Sequence, residues 1–101
     1  DGCGLALPYI PDWAVPAWHL FVVQAANRDS LRNALSERGI DTSIHYPLSP
    51  ARQPAYAQIL TAPIDAPITE TAESKILSLP FGPHLSDTMA RYVVDCIAEC
   101  L

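Results

Sequence analysis

The side chains most able to bind a ligand are gathered in one short segment, residues 43–56, which reads SIHYPLSPARQPAY. They are His45, Tyr46, Gln53 and Tyr56. Imidazole, amide and phenol groups can all exchange hydrogen bonds with phosphate oxygens and sugar hydroxyls. We predict that these four residues line a binding pocket, and we assign no catalytic residue to the chain.

The predicted backbone around this segment explains how the four groups are presented. Residues 42–46 favour a strand, because Thr, Ile and Tyr prefer extended backbone. Pro47 and Pro50 then force an irregular turn, since proline fixes its own φ and restricts the residue before it. His45 and Tyr46 are therefore expected where a strand runs out into a stiff loop, a common place for binding residues on a rigid scaffold.

Each candidate also has a purely structural interpretation. His45 can bond a backbone carbonyl at the end of the strand, and Tyr46 and Tyr56 can pack in the core. Gln53 can hold the loop together by bonding its backbone. Arg52 is a further candidate, because a guanidinium matches a nucleotide phosphate, but an exposed arginine with no ligand is the usual case.

Composition limits the class of protein. The chain has 101 residues, half of them hydrophobic, which suits one domain with a core of its own. Eleven acidic residues against six basic ones give a net charge of −5, which disfavours nucleic acid as a partner. No apolar run reaches the roughly 18 residues that a membrane helix needs. Three cysteines suit a reducing compartment, so we predict a cytoplasmic protein.

A metal site is not predicted. The histidines, His19, His45 and His84, and the cysteines follow no compact zinc spacing. Cys96 and Cys100 are one helical turn apart, but both fall on an apolar face, which is typical of buried structural thiols.

The hydrophobic pattern predicts an α+β domain with about three strands and helices packed on them. Residues 19–25 favour a central strand covered on both faces, residues 42–46 a second strand, and residues 76–81 a short strand at a sheet edge. Residues 1–17 are rich in Gly and Pro and read as a connector from a missing domain. Residues 18–101 then form the small domain.

Local signals place the helices. Asn27 is predicted to cap the first helix and Gly39 to end it. Residues 54–60 are predicted to form a short helix. Thr69 and Ser86 are predicted to cap two further helices, of which the last has the clearest apolar face.

Four segments occur in an order typical of one enzyme family. They are WHLFVV, NRDSLRNALSERGIDTSIHYP, QPAY and ITETAESKILSLPFGPHLS. In this order and spacing the chain resembles the carboxy-terminal part of the DegT/DnrJ/EryC1/StrS sugar aminotransferases, from about Trp18 to the end. One departure stands out. The family commonly has a proline two residues after the HYP motif and a histidine two further on, where this chain has Ser49 and Ala51.

The resemblance implies a fold, an activity and partners. This part of the family is a small antiparallel sheet with helices on one side, as in fold-type I aminotransferases. The whole enzyme uses pyridoxal phosphate to pass an amino group to a nucleotide-linked keto sugar, in amino-sugar and cell-surface polysaccharide biosynthesis. A missing amino-terminal large domain holds the Schiff-base lysine, and a homodimer forms the active site. His45, Tyr46, Gln53 and Tyr56 are then expected to bind the nucleotide-sugar substrate.

Within this resemblance the chain alone is expected to be inactive. Lys75, its only lysine, is predicted on a helix that begins with glutamates, in a setting unlike the family's lysine motif. No cofactor is therefore expected on this chain by itself. Two alternatives stay open: a free-standing ferredoxin-like domain that binds a ligand or partner, and a relative that dehydrates the sugar with the same cofactor.

Overall fold

Three short strands and three helices are present in a computed structural model that describes residues 4–59 and 65–101. The strands are β1 (Leu5–Ala6), β2 (Phe21–Ala25) and β3 (Ile76–Leu79). The helices are α1 (Arg28–Glu37), α2 (Pro67–Glu73) and α3 (Asp87–Cys100), and two 3₁₀ turns, Pro50–Arg52 and Pro54–Tyr56, lie between α1 and α2. The predicted α+β class is confirmed.

The strands form one antiparallel sheet in the order β1-β2-β3. The central position predicted for residues 19–25 is therefore confirmed in β2. Residues 42–46 are not a strand: they contribute one bridge, in which Ser43 and Ser78 exchange N–H···O bonds of 3.1 and 2.7 Å. After this bridge the chain leaves the sheet and enters the proline-containing loop that begins at Pro47. The third strand is β1, which lies in the predicted connector.

Among the described residues, the hydrophobic core lies on one face of the sheet. Val23 and Leu77 are partners in the register of β2 and β3, and both are fully buried. They contact a cluster built around Leu31 and Leu35 of α1, with α3 packed against α1. Gln24, which points to the opposite face because side chains alternate along a strand, is exposed. The prediction that β2 is covered on both faces is therefore wrong for this chain.

The helix ends follow the sequence in part. The Ser86 hydroxyl accepts the N–H three residues later at 3.2 Å, and Gly39 adopts a φ of +77° after α1, as predicted. Asn27 precedes α1 but makes no side-chain cap bond. Thr69 lies inside α2, which begins at Pro67, because proline at the first helical position needs no hydrogen-bond partner for its nitrogen.

Among the described residues, no helix is both long enough and apolar enough to cross a lipid bilayer.

Candidate functional site

His45 is held at the point where the chain leaves the sheet. Two residues after the Ser43 bridge, its ring Nδ1 lies 2.8 Å from the hydroxyl of Ser78 on β3. Ser78 is buried, whereas His45 is half-buried. A hydroxyl can donate to this nitrogen or accept from it, so the contact fixes the ring in either tautomer. The structural interpretation of His45 is a bond to a backbone carbonyl, but Nδ1 bonds a side-chain hydroxyl instead.

The imidazole lines a small cleft of about 200 Å³. Its polar neighbours there include His19, Asp41, Thr42 and Ser78. These groups can donate to and accept from sugar hydroxyls. Ligand pockets usually enclose roughly 300 to 1,000 Å³, so the described residues supply only part of a pocket for a molecule the size of a nucleotide sugar.

Tyr46 is exposed to solvent beside His45. Its side chain is 65% exposed, and its ring meets the imidazole edge-on, with centroids 5.4 Å apart and an angle of 84° between the planes. Tyr56 is exposed as well. Packing in the core, the structural interpretation of both tyrosines, is therefore wrong. Both phenols are free to meet a ligand or another protein surface.

Gln53 and Tyr56 lie further along the loop. The Gln53 amide donates to the carbonyl of Leu48 at 3.4 Å, which is the loop-holding contact considered from sequence. Tyr56 ends the second 3₁₀ turn, so the short helix predicted at 54–60 is a single turn, and residue 60 lies outside the described residues. Of the four predicted residues, only His45 lines this cleft. Tyr46 contacts the His45 ring, whereas Gln53 and Tyr56 lie apart from it.

A buried carboxylate anchors this loop from α2. Glu73 is 7% exposed, and its Oε1 accepts the backbone N–H of Ser49 at 2.6 Å. Its Oε2 accepts Nη1 of Arg52 at 2.5 Å. Arg52 is exposed, as the structural interpretation of this residue has it, but its guanidinium also has a partner within the chain.

These contacts determine the charge state of Glu73. The N–H of Ser49 is the main cause that lowers its pKa, the nearby Ser49 hydroxyl and Arg52 act in the same direction, and burial opposes them. On acidification the unfolded chain takes up the proton first, near the ordinary glutamate value of about 4.3. The stability that Glu73 contributes is thus present above that pH and is lost as the pH falls through the lower pKa of the folded state.

We therefore expect the chain to become less stable as the pH falls below about 4.3, with Glu73 among the causes. Glu73→Gln should make stability depend less steeply on pH in this range. Denaturant unfolding of both proteins at several pH values measures the difference. Equal slopes for the two proteins would contradict the assignment.

Ser78 and Glu73 were not singled out from sequence. Ser78 leaves a local signal, because it is a polar residue inside the apolar run ILSLPF, and such a position needs a hydrogen-bond partner. Glu73 leaves none: a glutamate in an amphipathic helix is usually solvated, and its burial depends on a loop more than twenty residues earlier in the chain.

Lys75 lies apart from the candidate site. It follows α2 in a turn, so its predicted place on a helix is wrong. It is half-buried and lines a different cleft, beside Leu5 and Gln24 at the β1–β2 edge. In residues 4–59 and 65–101, no three or more His, Cys, Asp or Glu side chains are grouped closely enough to hold a metal ion.

Comparison with known proteins identifies the family. The model of the DegT/DnrJ/EryC1/StrS aminotransferase family matches residues 4–98, nearly the whole chain. The chain belongs to this family. The match begins at residue 4, so it also includes β1 and most of the Gly- and Pro-rich segment.

Individual relatives of this DegT-family chain agree with the match. The erythromycin biosynthesis sensory transduction protein EryC1 of Saccharopolyspora erythraea is 44% identical over 94 residues, which are 93% of this chain and 26% of that protein. The dTDP-3-amino-3,4,6-trideoxy-alpha-D-glucose transaminase of Streptomyces venezuelae is 42% identical over 95% of this chain and 25% of its own length.

A solved structure supports the fold. The crystal structure of S. venezuelae DesV, in complex with a ketimine intermediate, superposes with a TM-score of 0.88 at 42% identity. The superposition covers 95% of this chain and 26% of DesV. The chain thus spans about a quarter of the length of the relatives it matches. Its antiparallel sheet with helices is the fold of the corresponding part of a sugar aminotransferase.

Proposed function

We propose that this chain is the carboxy-terminal small domain of a pyridoxal-phosphate aminotransferase that acts on a nucleotide-linked keto sugar. Its role is to close the substrate pocket with residues 43–56 and not to carry out the chemistry. The family match over residues 4–98, together with coverage of only a quarter of each relative, is the observation that carries the proposal. Amino-sugar and cell-surface polysaccharide biosynthesis is the process in which such an enzyme works.

The exposed apolar residues of the first segment support a missing large domain. Trp13 is 87% exposed and Val15 is 97% exposed, and Tyr9 is similarly open. Large apolar side chains that stand free in this way mark a surface that another protein part covers. We therefore propose that residues 1–17 lead from a preceding domain, although Leu5–Ala6 already pair with the small sheet. A homodimer of the complete enzyme is part of the same proposal.

The loop has the properties of a pocket wall. His45 is fixed by Ser78, Tyr46 is held against it, and both lie at the surface or close to it. Side chains that are ordered before the substrate arrives reduce the entropy lost on binding and reaction. We propose His45, Tyr46, Gln53 and Tyr56 as substrate-binding residues of the complete enzyme.

Pyridoxal phosphate does not fit the residues of this chain. The cofactor is held as a Schiff base by a desolvated lysine and supplies the electron sink for amino transfer. Lys75, the only lysine, lines a different cleft from His45. We therefore assign the cofactor's lysine to the preceding domain and attribute no chemical step to this chain.

The experiment that tests the proposal compares the chain alone with the chain joined to the coding sequence that precedes it. The 101-residue chain mixed with pyridoxal phosphate should show no stoichiometric imine absorbance, whereas the longer protein should show it and should aminate a nucleotide-linked keto sugar. Tight, one-to-one cofactor binding by the short chain would contradict the proposal. A start codon close before Asp1 would favour the free-standing domain, and a longer protein without the lysine would favour the dehydratase.

A further inference from the structure

We propose that Glu73 is a positioning residue, which fixes the loop from Ser49 to Arg52 and thereby sets where Tyr46 and Gln53 meet the substrate. The Glu73 carboxylate, the Ser49 N–H and the Arg52 guanidinium are called the clamp below. The effect on the loop follows from this chain's own contacts, while the effect on substrate rests on the proposed function.

The clamp uses both oxygens of one buried carboxylate. Ser49 N–H donates to Oε1 at 2.6 Å and Arg52 Nη1 to Oε2 at 2.5 Å, so neither partner competes with the other. Hydrogen bonds to a charged carboxylate are about twice as strong as neutral ones. The end of α2 is itself held, because Arg28 Nη1 donates to the carbonyls of Glu73 and Ile76, each at 3.1 Å. The loop is therefore tied to a rigid base.

The rest of the loop offers few other attachments. Within the described part of the chain, every hydrogen bond that joins residues 46–59 to residues outside that range ends on the Glu73 carboxylate. The remaining bonds of the segment are internal, such as that from Gln53 to Leu48. Loss of the clamp should therefore free the loop as a unit, while His45 stays fixed by its own contact with Ser78.

The clamp depends on the departure of this chain from the family's motif. Ser49 stands where the pattern commonly has proline, and only a residue other than proline has an N–H to donate. Its backbone, with φ −62° and ψ 157°, already matches the φ of about −65° that proline requires. Ser49→Pro thus removes the donor without forcing a new φ at this position, and the proline Cδ takes the place of the N–H and displaces the Glu73 carboxylate from its 2.6 Å contact. Ser49→Ala removes the hydroxyl and keeps the donor.

These two variants, with Glu73→Gln, test the clamp in the 101-residue chain. Amide hydrogen exchange by NMR reports on Arg52 and Gln53, whose N–H groups are bonded within the turn. We expect exchange at both to accelerate about tenfold in Ser49→Pro and Glu73→Gln, since local opening controls exchange. Ser49→Ala should exchange like the unmodified chain, and in Ser49→Pro and Glu73→Gln the acceleration at Arg52 and Gln53 should exceed that of the strand amide of Ala25, which reports on global stability. Unchanged exchange in Ser49→Pro would overturn the clamp.

Kinetics of the longer protein test the consequence for substrate. Ser49→Pro and Glu73→Gln should raise KM for the nucleotide-linked keto sugar about tenfold and change kcat much less, because a displaced binding loop weakens orientation. Glu99→Gln, which removes an exposed carboxylate paired with Arg38, is the matched control and should leave KM unchanged. The effect of the double variant should fall short of the sum of the two single effects, since both changes act on the bond between the Ser49 N–H and the side chain at position 73.

The two readouts separate the two levels of the proposal. Faster exchange with unchanged KM would overturn the positioning role while the clamp itself stands. If the longer protein does not turn over any nucleotide-linked keto sugar, the proposed function fails, and hydrogen exchange still decides whether Glu73 orders the loop.

Discussion

His45→Ala in the complete enzyme should lower kcat/KM for the nucleotide-linked keto sugar by roughly tenfold to a hundredfold, the range expected when a positioned hydrogen-bonding side chain is lost. Among the proposed binding residues, His45 alone has a ring that is held by a hydrogen bond to Ser78 and also lines a cleft. Steady-state kinetics with the amino donor held at saturation measure the effect.

The variant should stay folded, so that its loss of activity is not a consequence of unfolding. Truncation leaves the buried Ser78 hydroxyl without its partner, which costs about 1 to 3 kcal/mol, but it empties no part of the core. His84→Ala is a matched control, because His84 is also a histidine in a loop but is exposed and lies outside the cleft. A large loss of melting temperature with unchanged kinetics would show that His45 serves the fold and not the substrate.

The features that local patterns determine were predictable. The apolar run of β2, the cap at Ser86 and the stop at Gly39 each depend on residues within one turn or one strand, and each is found in the structure. The irregular backbone of residues 47–56 was predictable for a similar reason. Three prolines in this segment, Pro47, Pro50 and Pro54, interrupt any regular helix or strand.

Features that depend on distant partners were not predictable. The sheet takes its third strand from Leu5–Ala6, two residues in a Gly- and Pro-rich segment whose pairing is decided by β2 and not by their own types. Residues 42–46 have strand-forming types, but the chain pairs there at Ser43 only. Strand propensity describes how well a residue suits a half-buried pleated surface, and it cannot say which segment will occupy the edge.

The same distinction explains what was missed at the candidate site. His45 and Tyr46 were found because their chemical types and the prolines after them are local signals. Glu73 was missed because its role exists only when α2 is packed beside Ser49. The loop of such a site can therefore be recognised from the sequence, whereas the residue that anchors the loop is recognised only in the structure.

Neighbouring residues of β3 face different parts of the molecule: Leu77 packs in the core, and Ser78 bonds His45. A substitution at Leu77 is therefore expected to have a large effect on stability. Leu77→Ala should reduce the free energy of unfolding by about 2 to 5 kcal/mol, the range for deleting a fully buried leucine side chain. Leu77 is completely buried opposite Val23, in a core that the chain fills with few large side chains. Urea unfolding of the 101-residue chain, followed by circular dichroism, measures the change.

Ser78→Ala is the control one residue away. Side chains alternate along a strand, so Ser78 faces away from the Leu77–Val23 contact. The substitution Ser78→Ala leaves that contact unchanged and removes only the hydroxyl that bonds His45. We expect a stability loss of about 1 kcal/mol and, in the complete enzyme, a higher KM because the imidazole is no longer fixed. If Ser78→Ala destabilised the chain as much as Leu77→Ala does, the separation of β3 into a core face and a site face would be wrong, and His45 would have to be counted with the core.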